Sequence, residues 1–281
     1  MERLDRRLVA RGLGFAEGPR WCDGQLWFSD FGSRAVWAVG DDGEVERVVE
    51  VSARPSGLGW LPDGRLLIVS MEDRRLLRLE NGELVEHADL SRLATYMCND
   101  MVVDAHGRAY VGNFGFDRRA NPPQQPRPAE IVLVTPTGEA TVVDDEVMFP
   151  NGSAITPDGG TLIVAETFGG RLTAFDIQPD GGLANRRTWA NLPGRFPDGI
   201  CLDAEGAVWL ADARGRACLR VAEGGEVVDQ VDTGRNCYAC MLGGAERRTL
   251  FLCIADGSEH AGARTAVIEA VEVEVPGAGL P

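Results

Sequence analysis

An all-β, six-bladed β-propeller is the fold this sequence predicts, and three observations predict it. One phrase recurs six times: a polar residue, usually followed by Gly, a short apolar stretch, a turn at Asp-Gly or its equivalent, and a second apolar run. The copies are spaced by roughly 40 to 50 residues, the period of propeller blades holding several short strands each. No long amphipathic helical pattern interrupts them, and 35 glycines and 15 prolines suit a chain that turns this often.

The copies run in order along the chain. Glu17-Gly18-Pro19-Arg20-Trp21 precedes Asp23-Gly24, and residues 35–39 supply a further strand. Ser56-Gly57-Leu58-Gly59-Trp60 precedes Asp63-Gly64, with strands at 66–70 and 76–79. Asn99-Asp100-Met101-Val102-Val103 precedes His106-Gly107, and Asn151-Gly152-Ser153-Ala154-Ile155 precedes Asp158-Gly159, with strands at 161–165 and 172–176. Asp198-Gly199-Ile200-Cys201-Leu202 precedes Glu205-Gly206 and a strand at 208–212; a degenerate copy, Tyr238-Ala239-Cys240-Met241-Leu242, precedes Ala245-Glu246. The apolar runs are short, rich in β-branched and aromatic residues, and bounded by Gly or Asp, which argues for buried strands. Asp-Gly is the pair that populates the φ > 0 positions of a tight hairpin, so it is expected between the first two strands of each unit. A blade cannot bury its own faces, so the ring must close; residues 8–10 are expected beside the last strand, 266–275. Residues 1–281 therefore read as a single domain.

Twenty-eight Lys and Arg against 43 Asp and Glu give a net charge of −15, a repulsive balance toward phosphate backbones, so no nucleic-acid partner is expected. The first ten residues lack the apolar core of a secretion signal and no stretch is long enough to span a bilayer, so no membrane partner and a cytoplasmic location are expected. Oligomeric state is not readable. Seven cysteines, an odd number at apolar strand positions, fit reduced thiols used as small hydrophobes, Cys237-x-x-Cys240 included.

Aligned by repeat, the residues opening the inner strands are Glu17, Ser56, Asn99, Asn151, Asp198 and Tyr238. Equivalent positions in a propeller lie around one mouth of its channel. Asn, Asp and Ser at a strand start also serve local backbone hydrogen bonds, and any one of them reads equally well that way. The coincidence of Glu, Asn, Asn and Asp at one register favours a divalent cation between them, and oxygen donors without thiol or imidazole select Ca²⁺, Mg²⁺ or Mn²⁺.

These residues resemble the senescence-marker-protein/gluconolactonase/luciferin-regenerating-enzyme superfamily, six-bladed propellers that hydrolyse lactones with a divalent cation on the axis. The carriers are Ala16-Glu17-Gly18-Pro19-Arg20-Trp21, Cys98-Asn99-Asp100, Pro150-Asn151-Gly152 with Pro157-Asp158-Gly159, and Pro197-Asp198-Gly199 with Asp203-Ala204-Glu205-Gly206. The resemblance implies Glu17, Asn151 and Asp198 as metal ligands, Asn99 as a contact for substrate or water, and Asp198 as general base. It implies one divalent cation, Ca²⁺ foremost, with Mg²⁺, Mn²⁺ or Zn²⁺ as alternatives, and a small-molecule lactone or ester as substrate. Animal sugar lactonases of this type carry Arg two residues before the Asn matching Asn99; this chain has Met97, so an apolar wall and a less hydroxylated lactone than gluconolactone are expected there. The widest interval, between Asn99 and Asn151, holds a Pro-rich insertion at 114–130, read either as an ordinary surface loop or as a lid between blades that brings Arg118 or Arg119 to the substrate.

No Ser-His-Asp arrangement presents itself. His106 falls in a turn, His87 in a polar connection and His260 in the 256–264 loop, the last being the histidine to test. A phosphotriesterase using the same metal, and a non-enzymatic calcium-binding module, are the alternatives to a metal-dependent lactonase.

Overall fold

Each blade is a short antiparallel meander, as alternating apolar runs and tight turns require. The computed structural model describes residues 5–40, 43–257 and 264–279. Strand β1 (Arg7–Leu13) leads into blade 1, made of β2 (Ala16–Cys22), β3 (Gln25–Asp30), β4 (Ala35–Val39) and β5 (Val45–Glu50). Blade 2 has β6 (Pro55–Trp60), β7 (Leu66–Ser70), β8 (Arg75–Glu80) and β9 (Glu83–Asp89); blade 3 has β10 (Cys98–Val103), β11 (Ala109–Asn113), β12 (Ala129–Val134) and β13 (Ala140–Val147). Blade 4 follows as β14 (Pro150–Ile155), β15 (Thr161–Glu166), β16 (Arg171–Ile177) and β17 (Leu183–Asn191), and blade 5 as β18 (Pro197–Leu202), β19 (Val208–Asp212), β20 (Ala217–Val221) and β21 (Val227–Asp232). Blade 6 takes β22 (Asn236–Gly243), β23 (Thr249–Ala255) and β24 (Ala266–Glu272) from the C-terminal end.

Among the described residues these strands form six four-stranded sheets. The sixth has the order β1-β24-β23-β22, with Leu8 opposite Glu269 and Ala10 opposite Ile268. The expected closure is present, and the last strand ends at Glu272. Inner strands touch in cyclic order, β2 to β6, β10, β14, β18, β22 and back to β2.

The core lies between blades. Leu67, Val69 and Leu76 of blade 2 pack on Met101, Val111 and Val132 of blade 3, and Ile163, Ala165 and Leu172 of blade 4 pack on Ile200, Val208 and Leu210 of blade 5. Cys201, Cys218, Cys237 and Cys240 are free thiols buried with Trp209 between blades 5 and 6. Among the described residues no three or more His, Cys, Asp or Glu cluster so as to hold a metal.

Three expectations need correction. The Asp-Gly turns are not uniform: among the described residues only Asp23-Gly24 has positive φ at both residues, while at Gly64, Gly107 and Gly206 the Gly alone takes it, in a longer turn closed by its N–H on Leu61, Asp104 and Asp203. The 114–130 insertion lies within blade 3, between β11 and β12, and Ala129 and Glu130 already belong to β12. His87 sits on β9, buried; its Nε2 donates to the Thr135 carbonyl at 3.1 Å and its Nδ1 accepts from Arg78 at 2.8 Å, and burial lowers its pKa. His260 falls outside the described residues.

Candidate active site

Each inner strand breaks its ladder at the ring position. In blade 4 Pro150 pairs with Glu166 and the next pair is Ser153 with Val164, so three steps on β14 oppose two on β15. The same irregularity lies between Glu17 and Arg20, Pro55 and Leu58, Cys98 and Met101, Pro197 and Ile200, and Cys237 and Ala239. A bulge re-aims the side chain that it releases from pairing, and here it frees Ser56, Asn99, Asn151, Asp198 and Tyr238, whereas Glu17 stays opposite Ser29 with the bulge following it.

Five of the six ring residues line one cavity of about 220 Å³: Glu17, Asn99, Asn151, Asp198 and Tyr238. Ser56 does not; it is buried, and its carbonyl accepts from the Ser29 hydroxyl at 2.6 Å. Arg118 reaches the cavity from the blade 3 insertion, its guanidinium 5.6 Å from the Phe114 ring centre and 5.5 Å from that of Phe149. Met97 is not among the lining residues. It is buried in the apolar cluster that contains Phe114 and Phe149, and its carbonyl accepts the Phe114 N–H. The wall is nonetheless apolar, because Phe15, Phe31, Phe114, Phe149, Phe168 and Phe196 supply it. Phe114 stacks on Phe149 at 4.7 Å and Phe168 meets Phe149 edge-on at 5.1 Å.

Hydrogen bonds fix the two amides. The Thr167 hydroxyl donates to the Pro197 carbonyl at 2.8 Å, so toward Asn151 it accepts, from Nδ2 at 3.1 Å. Asn99 Nδ2 donates to the Pro150 carbonyl at 3.4 Å. Both nitrogens are thereby committed to protein, which leaves Oδ1 as the other edge of each amide. Tyr238 donates its hydroxyl proton to the Gly257 carbonyl and accepts from Asn236 Nδ2 at 3.1 Å; burial raises its pKa, and the carboxylates of Asp198 and Glu17 add to that rise. Tyr238 is therefore a neutral phenol whose proton is already in use.

A second repeated feature holds the loops that carry the wall. The last polar residue of the second strand in four blades is buried and accepts a backbone N–H from the segment entering the inner strand: Asp30 from Phe15 at 2.7 Å, Asn113 from Tyr96 at 3.4 Å, Glu166 from Met148 at 2.7 Å and Asp212 from Phe196 at 3.3 Å. Side-chain acceptors of this kind satisfy loop donors that no strand partner reaches.

Glu17, Asn99, Asn151 and Asp198 together offer two carboxylates and two amide oxygens, and no thiol or imidazole lines the cavity. That donor set fits a hard divalent cation.

The SMP-30/Gluconolactonase/LRE-like region matches residues 15–256. A 6-deoxy-6-sulfogluconolactonase of Pseudomonas putida is 28% identical over 194 residues, 65% of this chain and 64% of its own length, so the match spans slightly under two thirds of that relative. An L-arabinolactonase of Azospirillum brasilense is 25% identical over 221 residues, 76% of this chain and 72% of its own. Among solved structures, the calcium-binding protein regucalcin of Agrobacterium tumefaciens superposes with a TM-score of 0.83 at 21% identity, covering 99% of this chain and 97% of that one. A gluconolactonase of Xanthomonas campestris gives 0.76 at 23%, covering 96% and 89%. At these identities the structural likeness carries the fold; with the family region covering most of the sequence, the chain belongs to the SMP-30/Gluconolactonase/LRE-like family.

Proposed function

We propose that this protein hydrolyses small-molecule lactones at the mouth of its channel, with Glu17, Asn151 and Asp198 holding one divalent cation and Asp198 also acting as general base. The observation that carries this reading is the convergence of four oxygen-donor side chains from one repeat position on one cavity without thiol or imidazole. The names of the relatives, a sulfogluconolactonase and an arabinolactonase, support lactones as the substrate class.

The oxygen set suits Ca²⁺ first, then Mg²⁺ or Mn²⁺, whereas Zn²⁺ favours nitrogen and sulfur ligands. When bound, the cation supplies Lewis acidity toward a carbonyl oxygen and lowers the pKa of water. Asp198 accepts a proton from the attacking water as the new bond to the lactone carbonyl carbon forms. The ring C–O bond then breaks, the same carboxyl returns that proton to the leaving alkoxide, and the open hydroxy acid ionises. Asn99, its nitrogen committed to Pro150, presents Oδ1 to orient water or a substrate hydroxyl. Arg118 contacts the substrate from its seat on the phenylalanine rings.

Acid release from a panel of lactones tests the reading. At saturating cation, Asp198→Asn is expected to lower kcat by about 10² to 10⁴, the usual loss on removing a general base. Turnover at the parent rate assigns Asp198 to ligation alone, and a wild-type protein that opens no lactone overturns the reading.

A further inference from the structure

The position that follows the second strand of each blade holds Phe31, Met71, Phe114, Ala213 and Asp256, but Thr167 in blade 4. An alcohol stands there in that blade alone, and it lines the cavity. Thr167 is buried and tied to the segment entering β14 by two bonds. Its backbone N–H donates to the Phe149 carbonyl at 3.3 Å, and the residue before it, Glu166, accepts the Met148 N–H at 2.7 Å. The hydroxyl is thereby carried to within 3.1 Å of Asn151 Nδ2. A β-branched side chain has few rotamers, which keeps it there.

One carbonyl fixes the direction of these bonds. A carbonyl oxygen only accepts, so the Thr167 proton lies on the 2.8 Å bond to Pro197, and Asn151 meets the hydroxyl lone pairs. Only the amide nitrogen can answer them, and Oδ1 is held on the opposite edge. In blade 3 no intermediary is needed, because Asn99 Nδ2 donates directly to the Pro150 carbonyl at 3.4 Å. Each Asn is thus tied to the carbonyl that precedes the next ring residue, Asn99 directly and Asn151 through Thr167. Removing the hydroxyl affects the occupied site more than the empty one. In the empty site the amide can turn its N–H groups toward cavity water. With Oδ1 committed to a cation they face residue 167, and a methyl there leaves a buried donor unsatisfied.

We propose that Thr167 is a positioning residue for the divalent cation: its hydroxyl orients the Asn151 amide so that Oδ1 is the ligand atom. This rests on the reading of Asn151 as a cation ligand and adds to it the residue that sets the orientation of that ligand.

Calorimetric titration of Ca²⁺, Mg²⁺ or Mn²⁺ into the full chain, with no substrate present, tests it. Thr167→Val keeps the shape and removes the hydroxyl; it is expected to weaken binding by about 10- to 100-fold, the usual effect of removing a partner of a metal ligand. Thr167→Ala, a second variant without the hydroxyl, is expected to weaken binding in the same direction, and Thr167→Ser, which keeps the hydroxyl, to bind close to wild type. In an Asn151→Asp background the side chain carries oxygen on both edges and no N–H, so the valine substitution is expected to cost little there. Wild-type affinity in Thr167→Val and Thr167→Ala overturns the proposal. So does an equal loss in Thr167→Ser and Thr167→Val, which would assign the effect to packing, or a loss of the same size in the Asn151→Asp background. These three results leave the cation site standing. A wild-type protein that binds none of the three cations removes the site and this proposal with it.

Discussion

Arg20 and Asp100 are the two residues at which this chain departs most from its own repeat. The position after the ring residue is Gly or Ala in the other five blades and Asp100 in blade 3; three residues after it stand Gly59, Val102, Ala154, Cys201 and Met241, but Arg20 in blade 1. The two meet at 3.1 Å, both buried, and Arg20 also donates to the carbonyls of Pro19 and Met101. Desolvation raises the Asp100 pKa, and the charge and hydrogen bond of Arg20 oppose the rise. Arg20→Met is therefore expected to destabilise by about 3 to 5 kcal/mol by leaving the carboxyl unpaired, with Arg20→Met/Asp100→Leu recovering most of the loss in urea unfolding. Glu166 gives a pH signature. Burial pushes its pKa up, but hydrogen bonds from Arg171, Thr173 and Met148 outweigh that and lower it. Its contribution is thus full above the unfolded glutamate value near about 4.3 and is lost as pH falls through the folded value. Glu166→Gln is expected to cost about 1.5 to 3 kcal/mol at neutral pH, with the gap to wild type closing in acid; a gap independent of pH contradicts it. The ring of Glu17, Asn99, Asn151 and Asp198 was legible because polar residues stand out in an apolar repeat. Phe15, Phe149 and Phe196 also stand in register, two residues before Glu17, Asn151 and Asp198, as Met97 does before Asn99. A phenylalanine beside a strand reads as core, however, and only the closed ring turns that position toward the mouth.

Among the elements, the inner strands explain why the repeated phrase contains Gly. A Cβ on Gly152 would lie 2.5 Å from the Asp198 carbonyl oxygen and 2.5 Å from the Ile200 nitrogen, and one on Gly57 would lie 2.4 Å from the Met101 nitrogen. These contacts are to backbone of the next blade, which cannot yield without widening the ring. Gly152→Ala is expected to cost about 1 to 3 kcal/mol and to lower cation affinity by shifting Asp198, whereas Gly160→Ala, whose Cβ would meet only the Asp158 side chain at 3.4 Å, should stay within about 0.5 kcal/mol. Chemical unfolding and calorimetric cation titration of the two variants check this. The first three strands of the blades were legible from apolar runs. The outermost strands were not, because β5 and β21 are mostly exposed and β9, β13 and β17 mix exposed, half-buried and buried residues without regular alternation, and a sequence such as Val227–Asp232 carries too little burial pattern to distinguish an edge strand from a loop.

At the scale of the whole molecule, closure by β1 makes one ring of six blades. Ala10 and Leu13 are buried where blade 6 meets blade 1, in the cluster that includes Phe15 and Phe31 of the cavity wall. Removing residues 1–13 is expected to lower Tm by on the order of 10 °C and to weaken cation binding as well, since Glu17 sits on the strand that closure holds; an unchanged melting curve contradicts a closing role for β1. Whether oxygen donors on the ring axis hold a divalent cation for lactone hydrolysis is tested most directly by assaying lactone opening after exhaustive chelation and then after return of single cations. Activity lost on chelation and restored by Ca²⁺, Mg²⁺ or Mn²⁺ is the predicted result, and full activity in the chelated protein would contradict it.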